Sequence, residues 1–217
     1  MDRRKMTEAS SSGLNLTLAV TGASGAAVGR CALQMLLADP RVGHLNFVVS
    51  RHARRVAQEE LAVADNVQSA AELAAALAEC HPLPAKLRNL DPEDIGANIA
   101  SGSYASDGML VAPCSMGTLA AIAHGLSNNL IERAADVCLK ERRRLVLAVR
   151  ESPLSVIHLR NMLAVSEAGG IIFPVMPAFY DAATTPQAAV RQFTSRLLAS
   201  LGLPQNAAFQ WSGGDRA

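Results

Sequence analysis

The chain has few aromatic residues, almost no net charge and no long apolar run, and each shortage excludes a class of function. Phe, Trp and Tyr make up 4% of the 217 residues, which disfavours a surface that binds nucleic acid by stacking its bases. The formal net charge of +1 provides no broad positive field for nucleic acid. No stretch reaches the roughly 18 apolar residues of a membrane-spanning helix. We therefore expect a soluble, cytoplasmic protein that binds neither nucleic acid nor membrane.

The cysteines do not form the pattern of a metal site or of a disulfide framework. No two have CxxC spacing, and no histidine cluster accompanies them, so we expect buried thiols in a reducing compartment. They are Cys31, Cys80, Cys114 and Cys138.

What the chain does contain is apolar strands alternating with helical segments. We expect strands over residues 14–20, 45–50, 109–112, 145–149 and 170–175, and helices over 26–37, 51–63, 68–79, 117–124, 129–143, 154–167 and 186–201; residues 81–98 read as a loop. Alternating strands and helices predict a parallel sheet, and continuous apolar strands predict that helices cover both faces. The expected fold is a three-layer Rossmann-like (flavodoxin-like) α/β domain over residues 14–211. A disordered leader over 1–13 would precede it, and a tail over 212–217 would follow.

Two turns of small residues follow two of these strands. The first, Gly-Ala-Ser-Gly at residues 22–25, leads into a helix whose free N–H groups and dipole favour a phosphate. It lacks GxGxxG spacing, and the second strand ends in Ser50-Arg51 instead of an acidic residue, so a mononucleotide is favoured over a dinucleotide. A tight turn that binds nothing remains the alternative.

The second turn, at residues 113–118, repeats this logic. Ser115 has an ordinary interpretation as the N-cap of a helix, and Cys114 reads as a small buried side chain. In a doubly wound sheet, however, the two turns can converge on one crevice. Arg150 and Glu151 also follow an apolar strand, so they are expected where the sheet opens toward a ligand. That ligand is expected to be anionic.

Several segments together resemble the UbiX-type flavin prenyltransferases. They are the glycine turn, Pro-Cys-Ser-Met at 113–116, the block at 129–143, Arg-Glu-Ser-Pro at 150–153, His-Leu-Arg-Asn-Met-Leu at 158–163 and Pro-Ala-Phe-Tyr at 177–180. The resemblance implies transfer of a dimethylallyl group from dimethylallyl phosphate to N5 and C6 of reduced FMN, without a metal. It also implies a homo-oligomer, a dodecamer in many relatives, and a UbiD-type decarboxylase that receives the prenyl-FMN.

The resemblance also implies roles for individual residues. FMN would be held by Gly22, Ala23, Ser24, Ser50, Ser115, Met116, Gly117, Thr118 and Arg150. The prenyl phosphate would be surrounded by Lys140, Glu151, Tyr180 and Arg196. Catalytic roles would fall to Ser24, Glu60, Glu151 and Trp211, with Glu60 assisting proton transfer and Trp211 closing the site.

Two other functions remain open. One is a flavin-dependent decarboxylase of the cysteine-decarboxylase superfamily, whose relatives use a histidine that the first helix of this chain lacks. The other is a non-enzymatic FMN carrier, which would not need the second anion site implied by Lys140, Glu151, Tyr180 and Arg196 together.

Overall fold

The strand order of the sheet defines the architecture. The computed structural model describes residues 13–67, 69–178 and 185–205. In that part of the chain, six parallel strands lie in the order β3-β2-β1-β4-β5-β6, which is the doubly wound Rossmann order. The strands are β1 (Leu14–Val20), β2 (Val42–Val49), β3 (Leu87–Leu90), β4 (Gly108–Cys114), β5 (Arg144–Val149) and β6 (Ile171–Ile172). The helices are α1 (Ala26–Ala38), α2 (Ala53–Leu61), α3 (Ala70–Ala78), α4 (Met116–Ala123), α5 (Leu130–Lys140), α6 (Val156–Glu167) and α7 (Pro186–Ser200), with a 3-10 turn at Asn98–Ala100.

The two faces of the sheet carry separate hydrophobic cores. Successive side chains of a strand point to opposite faces, so Leu18 and Val20 of β1 pack with α1, α2, α3 and α7. Ala19, between them, packs in the other core with α4, α5 and α6. Because helices cover both faces, the central strands can be apolar at every position. The predicted three-layer parallel fold is confirmed.

Two strands differ most from the prediction, and β2 begins three residues earlier than expected, at Val42. β3 lies inside the segment expected to be a loop; it is a four-residue edge strand whose residues are only half-buried or exposed, so its apolar signal is weak. β6 is shorter than expected because Pro174 has no N–H for the ladder. The extended backbone nevertheless continues, since the N–H groups of Phe173 and Val175 donate to β5 at 2.9 Å each.

Among the described residues, none of the helices has both the length and the apolar character needed to cross a bilayer. The same part of the chain contains no group of three or more His, Cys, Asp or Glu side chains that could hold a metal ion.

Candidate functional site

The two predicted turns lie side by side at the carboxyl edge of the sheet. β1 pairs with β4 along Leu16–Ala19, and the strand order reverses between these two strands. Ligands of doubly wound sheets bind in the crevice at such a reversal. The turn after β1 and the turn after β4 both border this crevice, so the expectation that they converge is confirmed.

The first turn needs glycine at two positions. A Cβ atom on Gly22 would lie 2.6 Å from the Cβ of His52, and Gly25 has a φ of +109°. The first position leaves no room for a side chain, and the second has a backbone conformation that L-residues rarely adopt. Because Gly22 has no side chain, His52 at the start of α2 can pack against the glycine turn.

Glu60 occupies the N-terminus of α1. Its carboxylate accepts hydrogen bonds from the N–H of Gly25 at 2.9 Å and of Ala26 at 2.8 Å, and the side chain of Ser24 also donates to it. We expected these N–H groups to be free for a phosphate; that expectation is wrong, because a carboxylate from α2 binds them. Sequence reasoning had no signal for this contact, which spans 35 residues.

The charge state of Glu60 follows from these contacts. Partial burial acts to raise the pKa of Glu60, but the hydrogen bonds from Ser24 and the two backbone N–H groups outweigh it, and the pKa is lowered from 4.5. The guanidinium of Arg150 adds to the lowering. Glu60 is therefore ionised at neutral pH. Ser24, Glu60 and Arg150, which are far apart in sequence, belong to one electrostatic unit.

The second turn begins α4. The hydroxyl of Ser115 accepts from the N–H of Thr118 at 3.3 Å and lies 3.1 Å from its hydroxyl, so the N-cap interpretation is confirmed. Gly117 is exposed, and a Cβ placed there would meet nothing within 4 Å. The N–H of Thr118 is used by the Ser115 cap, but the open space at Gly117 leaves room for an anion at the start of α4.

A pocket of about 380 Å³ opens next to this turn. Arg150 and Glu151 lie on its wall with Met116, and all three were predicted site residues. Glu151 is exposed and accepts from the N–H of Ser152 at 2.9 Å. The remaining lining is Val149, Ser152, Leu154, Met162, Pro174, Val175 and Met176. A mostly apolar pocket with one fixed charge of each sign suits a ligand with a hydrocarbon part and an ionic end.

The hydroxyl of Ser50 is suited to bind a polar ligand. The N–H of Ser50 donates to the carbonyl of Val20 at 2.9 Å, which keeps it beside the glycine turn. Its hydroxyl is buried and has no hydrogen-bond partner among the described residues, and the same is true of the amide oxygen of Asn89. Both residues line a second cavity of about 350 Å³. Unpaired buried polar atoms are uncommon, so the Ser50 hydroxyl is suited to a ligand that supplies a hydrogen-bond partner. Asn89 was not among the site residues predicted from the sequence.

Lys140 lies near the amino ends of the strands, opposite to the carboxyl ends that border the pocket. It ends α5, just before β5 begins at Arg144, and it pairs with Glu141 beside Gly102. Arg150 follows the far end of β5, and a strand of this length spans about 20 Å. Within one chain, therefore, Lys140 does not meet the pocket at Arg150.

Arg196 does not line this pocket in a single chain. It is exposed on α7, about 15 Å along the helix from Pro186, and α7 covers the face of the sheet opposite to α5. Tyr180 and Trp211 lie outside the described residues.

Cys114 and Cys138 are not suited to act as nucleophiles. All four cysteines are free thiols, and burial raises the pKa of Cys114 and of Cys138 to about 12, so both are protonated at neutral pH. Cys31 and Cys80 are only half-buried, and the expectation of four buried thiols is wrong for these two.

Comparison with known proteins identifies the family. A model of the Flavoprotein family matches residues 4–198. The flavin prenyltransferase UbiX of Neisseria meningitidis serogroup B is 44% identical over 199 residues, which cover 91% of this chain and 96% of that protein. This chain belongs to the UbiX flavin prenyltransferases. The UbiX of Pseudomonas aeruginosa is 43% identical over 196 residues, covering 90% and 93%.

Solved structures of UbiX-type proteins share the fold. AnUbiX, solved in complex with FMN and dimethylallyl pyrophosphate, has a TM-score of 0.78 and 40% identity, covering 93% of this chain and 98% of its own. A dodecameric FMN-dependent UbiX-like decarboxylase from Escherichia coli O157:H7 has a TM-score of 0.80 and 42% identity, covering 92% and 100%. The cysteine decarboxylase TvaF, at 18% identity and a TM-score of 0.56, shares the fold alone.

Proposed function

We propose that this chain is a flavin prenyltransferase that transfers a dimethylallyl group from dimethylallyl phosphate to N5 and C6 of reduced FMN. The observation that carries the proposal is the ionised Glu60, held at the glycine turn and coupled to Arg150, which lines an apolar pocket. Membership of the UbiX family supports it, and a related enzyme was solved with both FMN and an allylic diphosphate.

The chain has a suitable donor set for FMN. Bound reduced FMN would supply the two nucleophilic atoms to which the dimethylallyl group becomes attached. The first turn would bind it through Gly22, Ala23 and Ser24, and the second through Ser115, Met116, Gly117 and Thr118. The unpaired hydroxyl of Ser50 and the guanidinium of Arg150 add one donor group each.

Glu60 is suited to accept the proton that is displaced when the new bonds form. Its carboxylate is ionised at neutral pH and so has an electron pair for a proton, while the hydrogen bonds that lower its pKa also reduce its basicity. Both Oε atoms are held by the α1 N-terminus, so little reorganisation is needed before a proton moves. We propose Glu60 as the general base, with Ser24 orienting its carboxylate.

The leaving phosphate must be stabilised as the C1–O bond of the donor breaks and the electron pair goes to the phosphate. We propose Lys140, Tyr180 and Arg196 as its partners, with Glu151 at the same site. Because Lys140 lies about 20 Å from Arg150 along β5, it would come from a second copy of the chain. Arg196, which does not line the pocket of its own chain, would also be contributed by a second copy.

An exposed apolar stripe on α6 supports a homo-oligomer. Val156, Leu159 and Leu163, at i, i+3 and i+7, share one side of the helix and are 51–61% exposed. Exposed apolar patches of this kind mark interaction surfaces. We propose that copies of this chain cover the stripe, with a dodecamer as the expected assembly. A UbiD-type decarboxylase is the proposed recipient of the product, and a cytoplasmic location remains the prediction.

Product analysis tests the reaction. The protein is incubated anaerobically with reduced FMN and dimethylallyl phosphate, and the flavin is released and weighed by mass spectrometry. The expected result is a flavin that has gained one dimethylallyl group. Unmodified flavin, despite tight binding of FMN, would indicate a carrier instead, whereas loss of carbon dioxide from a supplied peptide carboxyl terminus would indicate a decarboxylase. FMN should also bind more tightly than NAD.

Co-expression of two inactive variants tests the shared site. Lys140→Ala and Arg150→Ala are each expected to abolish turnover when expressed alone. If the two residues act from different copies, an oligomer that contains both variants regains some sites with both side chains intact. Mixed oligomers without activity, formed from variants that assemble normally, would show that Lys140 acts within its own chain or elsewhere.

A further inference from the structure

Thr21 joins the two ligand turns through one buried hydroxyl. It follows β1 directly and is 1% exposed. Its hydroxyl donates to the carbonyl of Pro113 at 2.8 Å and accepts the N–H of Ser115 at 2.8 Å. The backbone N–H of Thr21 also donates to Pro113, at 3.2 Å. Both hydrogen-bonding functions of this hydroxyl are therefore used to connect the end of β1 to the end of β4.

A proline explains why a side chain is needed here. The pairing of β1 with β4 ends at Ala19 and Val111, and Pro113, which lies just beyond, has no N–H with which to extend it. The hydroxyl of Thr21 compensates for the missing ladder bond by accepting a hydrogen bond from the N–H of Ser115, the second residue after that proline. Without it, the Ser115 N–H would be a donor in a partly buried region with no backbone partner on β1.

The consequences extend through the second turn. Ser115, held by Thr21 at its N–H, caps α4 through its hydroxyl. The N–H of Arg150 donates to the carbonyl of Cys114 at 3.3 Å, between the two residues that Thr21 holds. One side chain thus sets the relative position of the three segments proposed to contact FMN: the glycine turn, the start of α4 and Arg150.

We infer that Thr21 is a positioning residue for flavin binding, since the O–H of its side chain is already donated to Pro113 within the protein. This inference rests on the proposed function, because it concerns the same FMN site. It predicts that loss of the hydroxyl weakens FMN binding by separating the two turns, with the side chains that touch FMN all retained.

Three variants test it. Thr21→Val keeps the shape and removes both hydrogen bonds, whereas Thr21→Ser keeps the hydroxyl. Thr17→Val is the matched control, because Thr17 is 2% exposed on the same face of β1 and lies about 13 Å from Thr21 along the strand. FMN affinity is measured by quenching of flavin fluorescence on flavin-free protein, well below each variant's melting temperature, so that global stability does not enter.

We expect Thr21→Val to raise the Kd for FMN about tenfold, equivalent to 1.4 kcal/mol, and we expect Thr21→Ser and Thr17→Val to bind nearly as wild type does. A Thr21→Val protein with wild-type affinity would overturn the inference, as would equal weakening by Thr17→Val. Failure of the wild type itself to bind FMN would instead contradict the proposed function. If Thr21→Val does not fold, Thr21→Ala and the serine variant allow the same comparison.

Discussion

Replacing Glu60 by Gln should separate its two roles, because the amide keeps the shape of the side chain and loses its charge. The carboxylate accepts from two backbone N–H groups and from Ser24. Gln retains one acceptor oxygen, so the turn should remain formed, and we expect FMN and dimethylallyl phosphate to bind. Since Gln cannot accept the proton, product formation should slow by about 10²–10⁴-fold, as is typical when a general base is lost.

The same substitution should lower stability by about 1 kcal/mol, because a charge-assisted bond at a helix N-terminus becomes a neutral one and the site is largely exposed. The pKa of Glu60 is lowered in the folded protein, so its contribution is present above the unfolded value near 4.5 and is lost as the pH falls through the folded value. The stability difference between wild type and variant should therefore be constant around neutral pH and disappear in acid.

Glu59→Gln is the matched control. Glu59 is the neighbouring residue on α2 and pairs with Arg55 on the exposed surface at 2.8 Å, where such a pair contributes little. Stopped-flow absorbance of reduced flavin, with both ligands saturating, measures the rate, and urea unfolding between pH 3 and 8 measures stability. A Glu60→Gln rate equal to that of Glu59→Gln would refute the proton-transfer role, and a stability difference that persists in acid would refute the electrostatic argument.

Three further predictions concern the donor site, the assembly and the thiols. Arg196→Ala should weaken the binding of dimethylallyl phosphate more than the binding of FMN, by the roughly 1.5–3 kcal/mol of a hydrogen bond to a charged group. Calorimetric titration with each ligand measures the two affinities, and a selective loss of FMN binding would reverse the assignment of Arg196. Leu163→Asp places a charge in the α6 stripe, where Leu163 is 58% exposed, and should reduce the mass of the oligomer measured by light scattering. An oligomer of unchanged mass would show that this stripe is not a subunit interface. Cys138, whose pKa burial raises to about 12, should react with a thiol reagent at pH 8 only after unfolding; reaction at the rate of a free thiol in the native protein would contradict its burial.

The sequence alone determined the layered α/β fold and the location of the ligand edge. Continuous apolar strands such as β4 and β5 require cover on both faces, and small polar residues directly after strands indicate the carboxyl edge. The N-cap at Ser115 was also readable, because a cap depends on a few neighbouring residues. The strand β3 was not, since an edge strand that is half-exposed has no apolar pattern to distinguish it from a loop.

Only the tertiary structure decided which of these residues meet. Glu60 reaches the N–H groups of Gly25 and Ala26 because the last turn of α2 lies next to the start of α1, and Thr21 reaches Ser115 because β1 and β4 are neighbours. The same topology separates Lys140 from Arg150, although they are only ten positions apart in sequence, because β5 runs between them from the amino end of the sheet to its carboxyl end. Local patterns specify the elements, but the distance between two side chains depends on how those elements pack, which no local pattern encodes.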